Sequence, residues 1–422
     1  MAETRANGSA QPHGADSEYH NQLTVPVSPN VPEQIPELLE KVHNLGKTVD
    51  VNNTKERIAL LDTVRALMFA LETPREAMIR HCWSWTTCLA AVEVAVDLGL
   101  WHILAKDDKP KTVDELAQAT GAEPLLLSRI LKHLCSMGTI IETGHNEYRR
   151  TGFAVTMTMK RFADSYPCMT NCVSAAALAL PAFLKKNGYR VPMNGKDCPF
   201  QTGYRTDLHF FEFFQKFPEV ARQFNNHMSA YHQGRPSWMD FYDVRSLYNG
   251  VGSDDVLLVD VGGNVGHDIT EFKRKWPDAP GRLVLQDLPE VISHAKDTGL
   301  PSYIEPMAHD FFTEQPVKGA RAYFMHSVLH DWSDEKGREI LKQLAKAMKP
   351  GYSKVLINEN VIPETEASWE STSIDILMMT LLASQERTAS QWQQLVESAG
   401  LKITKIWTDL KGAESLIECE LA

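Results

Sequence analysis

The chain of 422 residues is long enough for two or three domains and a sizeable buried core. With 43% hydrophobic and 23% charged residues it has a globular composition, which excludes a collagenous, coiled-coil or largely disordered chain. A formal net charge of −11, counting histidine as neutral, repels a phosphate backbone and weighs against a nucleic-acid partner.

Residues 1–33 are rich in Gly, Ser, Asn and Pro without apolar periodicity and read as a disordered arm. The opening MAETRANGSAQPHG has neither the cationic start nor the apolar run of a secretory signal, so a cytoplasmic location is expected. Apolar residues then recur at three- and four-residue spacing over Glu37 to Leu45 and Lys55 to Leu71, which predicts two amphipathic helices. Pro74 to Leu104 is too apolar all round for a lone surface helix, with Trp83, Trp85, Val92, Val94, Leu100 and Trp101 among its residues. It calls for a second surface to bury it, such as another copy of the chain.

A helix at Val113 to Ala119, a turn at Gly121, a helix at Pro124 to Met137 and alternating short strands from Thr139 to Thr151 have the order of a winged helix. Four cations (Arg129, Lys132, Arg149, Arg150) against five carboxylates (Asp114, Glu115, Glu123, Glu142, Glu147) leave this unit at −1. That is no phosphate-tracking face, so a structural or dimerisation role is expected rather than DNA binding. Residues 34–160 are therefore assigned to a mostly helical, winged-helix dimerisation domain, and 161–250 to a helical linker region. The longest apolar stretch, Ala175 to Leu184, is broken by Pro181 and far shorter than the roughly 20 residues of a spanning helix, so no membrane crossing is expected. Cys82, Cys88, Cys135, Cys168, Cys172, Cys198 and Cys419 are odd in number and contain no C-x-x-C pair, which fits reduced thiols better than disulfides or a zinc site. No metal is expected.

From about Val256 short apolar runs alternate with helices. Strands are predicted at Val256 to Asp260, Leu283 to Gln286, Ser302 to Glu305, Ala322 to Met325 and Lys354 to Glu359, with helices between them. The alternation predicts an α/β, Rossmann-like parallel sheet over residues 251–422. After a helix at Ser390 to Ser398, strands at Lys402 to Trp407 and Glu414 to Glu420 join through a turn at Lys411 and Gly412, placing one antiparallel strand at the sheet edge.

The first of these strands ends in Asp260-Val261-Gly262-Gly263-Asn264-Val265-Gly266-His267. Glycines between a strand and a helix let a ligand approach the backbone at the carboxyl end of the sheet. The dinucleotide fingerprint fails at Asn264 and His267, and no G-K-[ST] ending is present for a P-loop. Asp287, closing the next strand, can accept both hydroxyls of a ribose, so the ligand that fits is a nucleoside without a pyrophosphate, S-adenosylmethionine.

These residues carry a resemblance. From about residue 75 onward the chain resembles the plant-type small-molecule O-methyltransferases and their filamentous-fungal relatives of secondary metabolism, the caffeate- and sterigmatocystin-O-methyltransferase-like family. Its D-V-G-G-G-x-G-H pattern is matched except at Asn264, a residue that tolerates left-handed backbone angles. The resemblance implies a class I methyltransferase domain in which Asp260 and Gly262 border the methionine part of the cofactor, Asp287 the ribose, and Asp310 and Phe311 the adenine. Gly263, Gly266, Leu288 and His326 join the same cofactor-binding set. His326 stands where plant relatives have a cofactor-binding Lys, and it reads equally as a core or rim histidine.

Methyl transfer to a phenol of pKa near ~10 requires removal of its proton at neutral pH, for which histidine is the natural base. His330 lies just past the fourth strand in His330-Asp331-Trp332-Ser333-Asp334-Glu335, before a helix whose N-cap is Ser333. The segment resembles the family's H-D-W-S-D-E motif, which implies that His330 is the general base, with Glu359 and Glu386 as its flanking carboxylates. Phe224, Met228, Trp332, Met378 and Met379 are candidate acceptor-lining residues, suited to an aromatic molecule. The expected protein is a homodimeric O-methyltransferase acting on a hydroxyl of an aromatic or polyketide-type small molecule. Three alternatives stay open: a carboxyl O-methyltransferase, a pericyclase that uses the sulfonium charge without transferring methyl, and a winged-helix regulator that senses the nucleoside.

Overall fold

The computed structural model describes residues 22–231, 233–410 and 412–422. Two compact units divide the chain between Tyr166 and Pro167. The first 21 residues of the expected arm lie outside the described residues, as does Lys411 of the expected turn. Residues 22–33 are structured: 3-10 turns form at Val25–Val27 and Pro32–Gln34, and the Asn30 and Val31 N–H groups bond to the carbonyls of Glu72 and Ala70. Of the region expected as a helical linker, residues 161–166 fall in the first unit and 167–250 in the second.

In the first unit, α1 (Ile35–Thr48) and α2 (Thr54–Leu71) precede α3 (Trp85–Asp97). Strand β1 (Lys111–Thr112) leads into α4 (Val113–Thr120), which opens on a reciprocal Thr112–Glu115 capping box and closes on Gly121 in a left-handed conformation. Helix α5 (Pro124–Ser136) starts on a proline, whose fixed φ and missing N–H suit a first turn. Strands β2 (Ile140–Gly144) and β3 (Glu147–Arg150) complete the winged helix, in the sheet order β1-β3-β2. The apolar segment at 74–104 divides in two. Ala91, Val92, Ala95, Leu100, Trp101 and Leu104 pack into this unit's own core, whereas Trp83 is 63% exposed and Trp85 54%.

The second unit begins with helices that include α6 (Ser174–Lys186), α7 (Phe210–Lys216) and α8 (Pro218–Tyr231). Against the expectation from the apolar runs, the helical run Lys160–Lys186 is long and apolar enough to cross a membrane by length and composition. It carries Pro181; Cys168, Cys172 and Ala176 along it are packed in a core cluster of the second unit, and Phe183 is buried.

The sheet is built from β4 (Val256–Val261), β5 (Arg282–Asp287), β6 (Ile304–Ala308), β7 (Ala322–His326) and β8 (Lys354–Glu359), all parallel, with β11 (Leu401–Trp407) and β12 (Ser415–Leu421). Helices α9 (His267–Lys275) and α10 (Pro289–Asp297) follow β4 and β5, α11 (Asp334–Ala347) follows β7, and α12 (Trp369–Leu382) and α13 (Ala389–Ser398) lie between β8 and β11. A two-residue parallel pair, β9 (Val361–Ile362) with β10 (Arg387–Thr388), ties the ends of two loops together. Strands such as Leu257-Leu258-Val259 are buried on both faces, which is why they read as continuous apolar runs.

The sheet order, β11-β12-β8-β7-β4-β5-β6, corrects one expectation. The antiparallel strand is not at the edge: β12 inserts between β11 and β8, pairing Ser415 with Glu359 and Cys419 with Val355. Burial decides the order, because Leu416, Ile417 and Cys419 are fully buried while Lys402, Thr404 and Lys405 of β11 reach solvent.

Candidate active site

The glycine-rich loop leaves β4 and enters α9 at the carboxyl end of the sheet. The N–H groups of Gly262 and Gly263 both bond to the Gln286 carbonyl, which docks the loop on β5. A Cβ on Gly263 would lie 2.4 Å from Asp260 Cγ and 2.6 Å from Leu285 Cδ1, so no side chain fits there. Asn264 has φ +53°, the left-handed conformation its short polar side chain tolerates, and its N–H donates to Asp287 Oδ2 at 2.8 Å. Asp287 Oδ1 accepts the Leu288 N–H at 2.7 Å. Burial raises the Asp287 pKa against the pull of these two bonds. Each oxygen keeps a lone pair for a ribose hydroxyl.

Asp260 is buried, and neither of its oxygens has a hydrogen-bond partner among the described residues. Burial and neighbouring Asp268 push its pKa well above the usual range, against the pull of His326. A buried carboxyl with unused acceptors beside a loop too tight for side chains fits the cationic methionine end of S-adenosylmethionine. Phe311 packs edge-on against Phe312 and Trp332, at 5.1 and 6.1 Å, so the predicted adenine contact touches the predicted acceptor wall. Asp310 is exposed and caps its own turn through the Phe312 N–H at 3.0 Å.

His326 ends β7, and both ring nitrogens face carboxylates: Nδ1 is 2.9 Å from Asp268 Oδ2 and Nε2 3.1 Å from Glu414 Oε2. Burial pulls its pKa down, but the two carboxylates outweigh it and hold the pKa well above the ordinary value. The structure thus shows His326 as an ion-pair bridge joining β7 to α9 and to the turn before β12.

His330 sits in a 3-10 turn, Leu329–Asp331, between β7 and α11. Its Nδ1 donates to Glu386 Oε1 at 2.7 Å, which fixes the tautomer and leaves Nε2 as the nitrogen able to accept a proton. Glu359 is arranged differently. Its Oε1 accepts the N–H groups of Val328, Leu329 and His330 at 2.9, 2.8 and 3.3 Å, and its Oε2 stands 3.7 Å from Nδ1. One carboxylate therefore orients the ring and the other braces the loop that carries it. Burial works to lower the His330 pKa, yet Glu359, Asp331 and Glu386 more than compensate and push it up to about 10. Burial raises Asp331 to about 7 although His330 holds it down. Glu359 is likewise raised by burial.

The ligand atoms of His330, Glu359 and Glu386 lie within 4.8 Å of one another, close enough to bracket a cation. Nδ1 and Glu359 Oε1 are engaged in hydrogen bonds, while Oε2 of Glu359 and Oε2 of Glu386 have no hydrogen-bond partner among the described residues.

Sequence reasoning missed two supports of this loop. Arg387 is completely buried, and it donates from Nη1 to the Leu329 carbonyl at 2.8 Å, from Nη2 to the Trp332 carbonyl at 2.7 Å and from Nε to Asp334 Oδ1 at 2.9 Å. Ser384 Oγ donates to the carbonyls of His330 and Trp332. Both follow Ala383, which ends α12 at φ +54°, and Ser327 opens the His330 loop at φ +50°. Non-glycine residues in this region are strained and persist only where the surroundings over-determine them.

Of the predicted acceptor residues, Trp332 stacks near-parallel to His209 with centroids 6.4 Å apart. Phe224 and Met378 pack against a core that includes Phe210 and Phe213, and Met228 and Met379 are half-buried. A separate cavity of about 380 Å³ in the first unit, lined by residues including Arg80, Trp85 and Met137, contains none of the predicted site residues.

The O-methyltransferase domain family matches residues 189–402, and the O-methyltransferase dimerisation domain family matches residues 87–160. O-methyltransferase mfmE of Annulohypoxylon moriforme is 35% identical over 389 residues, covering 91% of this chain and 95% of that protein. The demethylsterigmatocystin 6-O-methyltransferase of Aspergillus parasiticus is 37% identical, covering 75% of this chain and 80% of its own. Two solved structures, one described as a pericyclic reaction enzyme and one as LepI in complex with SAM, share the fold at a TM-score of 0.84 and 29% identity. Each covers 92% of this chain, and they are matched over 100% and 99% of their own. The chain belongs to the O-methyltransferase family, with fungal O-methyltransferases of secondary metabolism as its homologues. It is an S-adenosylmethionine-dependent enzyme.

Proposed function

We propose that the enzyme methylates a hydroxyl of an aromatic or polyketide-type small molecule, with His330 Nε2 as general base. The observation that carries this is the buried 2.7 Å contact between His330 Nδ1 and Glu386, which supports the imidazolium formed when the base takes a proton. Glu359 holds the loop in place. When bound, the cofactor supplies an activated methyl group and its leaving group. Asp260, Gly262, Gly263 and Gly266 receive its methionine end, Asp287 and Leu288 the ribose, and Asp310 and Phe311 the adenine. His326 acts on the cofactor through Asp268, at the start of α9, rather than by direct contact. Trp332, with Met228 and Met379, faces the acceptor, while Phe224 and Met378 support that wall from the phenylalanine core.

The matched dimerisation domain and the exposed Trp83 and Trp85 support a homodimer. Seven free cysteines support a reducing compartment, the cytoplasm. A carboxylate acceptor needs no base, so the buried His330 cluster weighs against the carboxyl reading. The pericyclase reading is favoured by the structural neighbour described as a pericyclic reaction enzyme. Transfer of labelled methyl to a panel of phenols, polyketide aromatics and carboxylic acids separates the three. Label in a phenol, lost in His330→Ala, is the expected result. Label retained in the variant overturns the role of the base, and cofactor binding without any label in an acceptor favours the pericyclase.

A further inference from the structure

His330 has carboxylates on both of its nitrogens, where orientation requires one. Glu386 and Glu359 face Nδ1, and Asp331 Oδ1 stands 3.5 Å from Nε2, the nitrogen that must be empty to act as a base. The remaining charges around the cluster come from every element packed on it. Arg387 holds the loop carbonyls, Asp334 pairs with Arg387, Asp375 on α12 accepts the Glu386 N–H at 2.9 Å, and His326 acts on Glu359 from β7. The catalytic loop is thus an acidic pocket closed over one imidazole.

We propose that the Asp331 carboxylate, facing Nε2 at ion-pair distance, holds the proton on His330 by its charge, keeping the base protonated and idle until the positively charged cofactor enters and drives that proton to solvent. Asp331 is on this reading a positioning residue that acts through His330, and the inference rests on the methyl-transfer reading above. Two physical arguments support it. Buried charges interact through a low effective dielectric, so a sulfonium brought into the site opposes the imidazolium far more strongly than it would in water. Burial and its neighbours hold Asp331 up at about 7, and the carboxylates hold His330 up at about 10, so at pH 7.5 the imidazole retains a proton to release. The step moves a proton from Nε2 to solvent, and no bond between heavy atoms changes.

The cofactor and its demethylated product differ in this charge, which gives a test that needs no variant. Titration calorimetry of the full chain at pH 7.5, in two buffers of different ionisation heat, counts the protons released with S-adenosylmethionine and with neutral S-adenosylhomocysteine. The expected excess for the cation is on the order of half a proton or more. Asp331→Asn should at least halve that excess. Because it removes a negative charge beside Nε2, it should also move the acidic limb of the kcat–pH profile to lower pH by about one unit, and Asp331→Glu should move it back. Equal proton release with the two ligands, or an unmoved limb in Asp331→Asn, overturns the inference while leaving the methyl-transfer reading intact. Failure of the chain to bind S-adenosylmethionine overturns both.

Discussion

Arg387→Met tests whether the catalytic loop is held from beneath. Methionine keeps a long apolar stem and donates no hydrogen bond, so the loss is confined to the three guanidinium contacts and the approach to the Trp392 ring at 5.1 Å. The pair with Asp334 contributes little, because that carboxylate is 52% exposed and screened by water. Leu329 is fully buried, so its carbonyl falls back on the long bond from the Trp332 N–H at 3.3 Å, whereas the Trp332 carbonyl keeps the Ser384 hydroxyl as a donor. Charge-assisted bonds of this kind are worth about 1.5–3 kcal/mol each. Removal of a buried cation returns part of its desolvation cost. The expected net loss is about 2–4 kcal/mol in the unfolding free energy of the second unit, measured by urea titration with circular dichroism. The loop carries His330, and displacements of about 1 Å lower rates by roughly 100-fold, so kcat should fall about 10- to 100-fold. Cofactor affinity should change less than about threefold, since the loop from Gly262 to Gly266 has no bond to Arg387. A stability change below about 1 kcal/mol together with kcat within a factor of two would refute the argument.

Gly263→Ala places a methyl group against Asp260 and Leu285, so calorimetry should show at least a roughly 100-fold loss of cofactor affinity from a displaced loop. Because deprotonation by His330 routes no step through a cation, methyl transfer should be unchanged after exhaustive dialysis against a chelator, and restoration of a lost activity by added metal would contradict the base mechanism. The folded-state pKa of His330 lies above its unfolded value, so its contribution to stability is complete below about pH 6.5 and is lost as pH rises through about 10. Melting temperature should accordingly fall between pH 7 and 10, with an unfolding free energy slope of at most about 1.4 kcal/mol per pH unit from this group. The slope should flatten in His330→Asn, and an unchanged slope would refute the assignment.

The strand and helix order of the second unit was legible because its central strands are buried on both faces and its loops carry Gly, Asp and Ser at the turns. His330, Glu359 and Glu386 were legible as residues at strand ends in a fixed order. The division of labour between the two glutamates was not, since it depends on which oxygen meets the Val328, Leu329 and His330 N–H groups. Arg387 reads in sequence as a surface charge beside Glu386, and only the fold shows it beneath the loop. His326 could not be resolved from one strand end, because its partners Asp268 and Glu414 lie 58 residues before and 88 after it. The hairpin of β11 and β12 was visible, but either of its strands could have met β8. The difference in burial between the two strands settles which one does.

The insertion of β12 has a consequence for how the molecule is made. Strand β8, which ends in Glu359, has β7 on one side, and on the other it waits for residues 415–421, about 60 positions later in the chain. Until those residues are available, an apolar strand in the middle of the sheet has an open edge, which is a template for pairing with other chains. Residues 415–421 therefore seal the sheet as well as extend it. Chains interrupted before Ser415 should aggregate rather than give weakly active enzyme, because the strand that ends in the loop-bracing Glu359 keeps an unpaired edge.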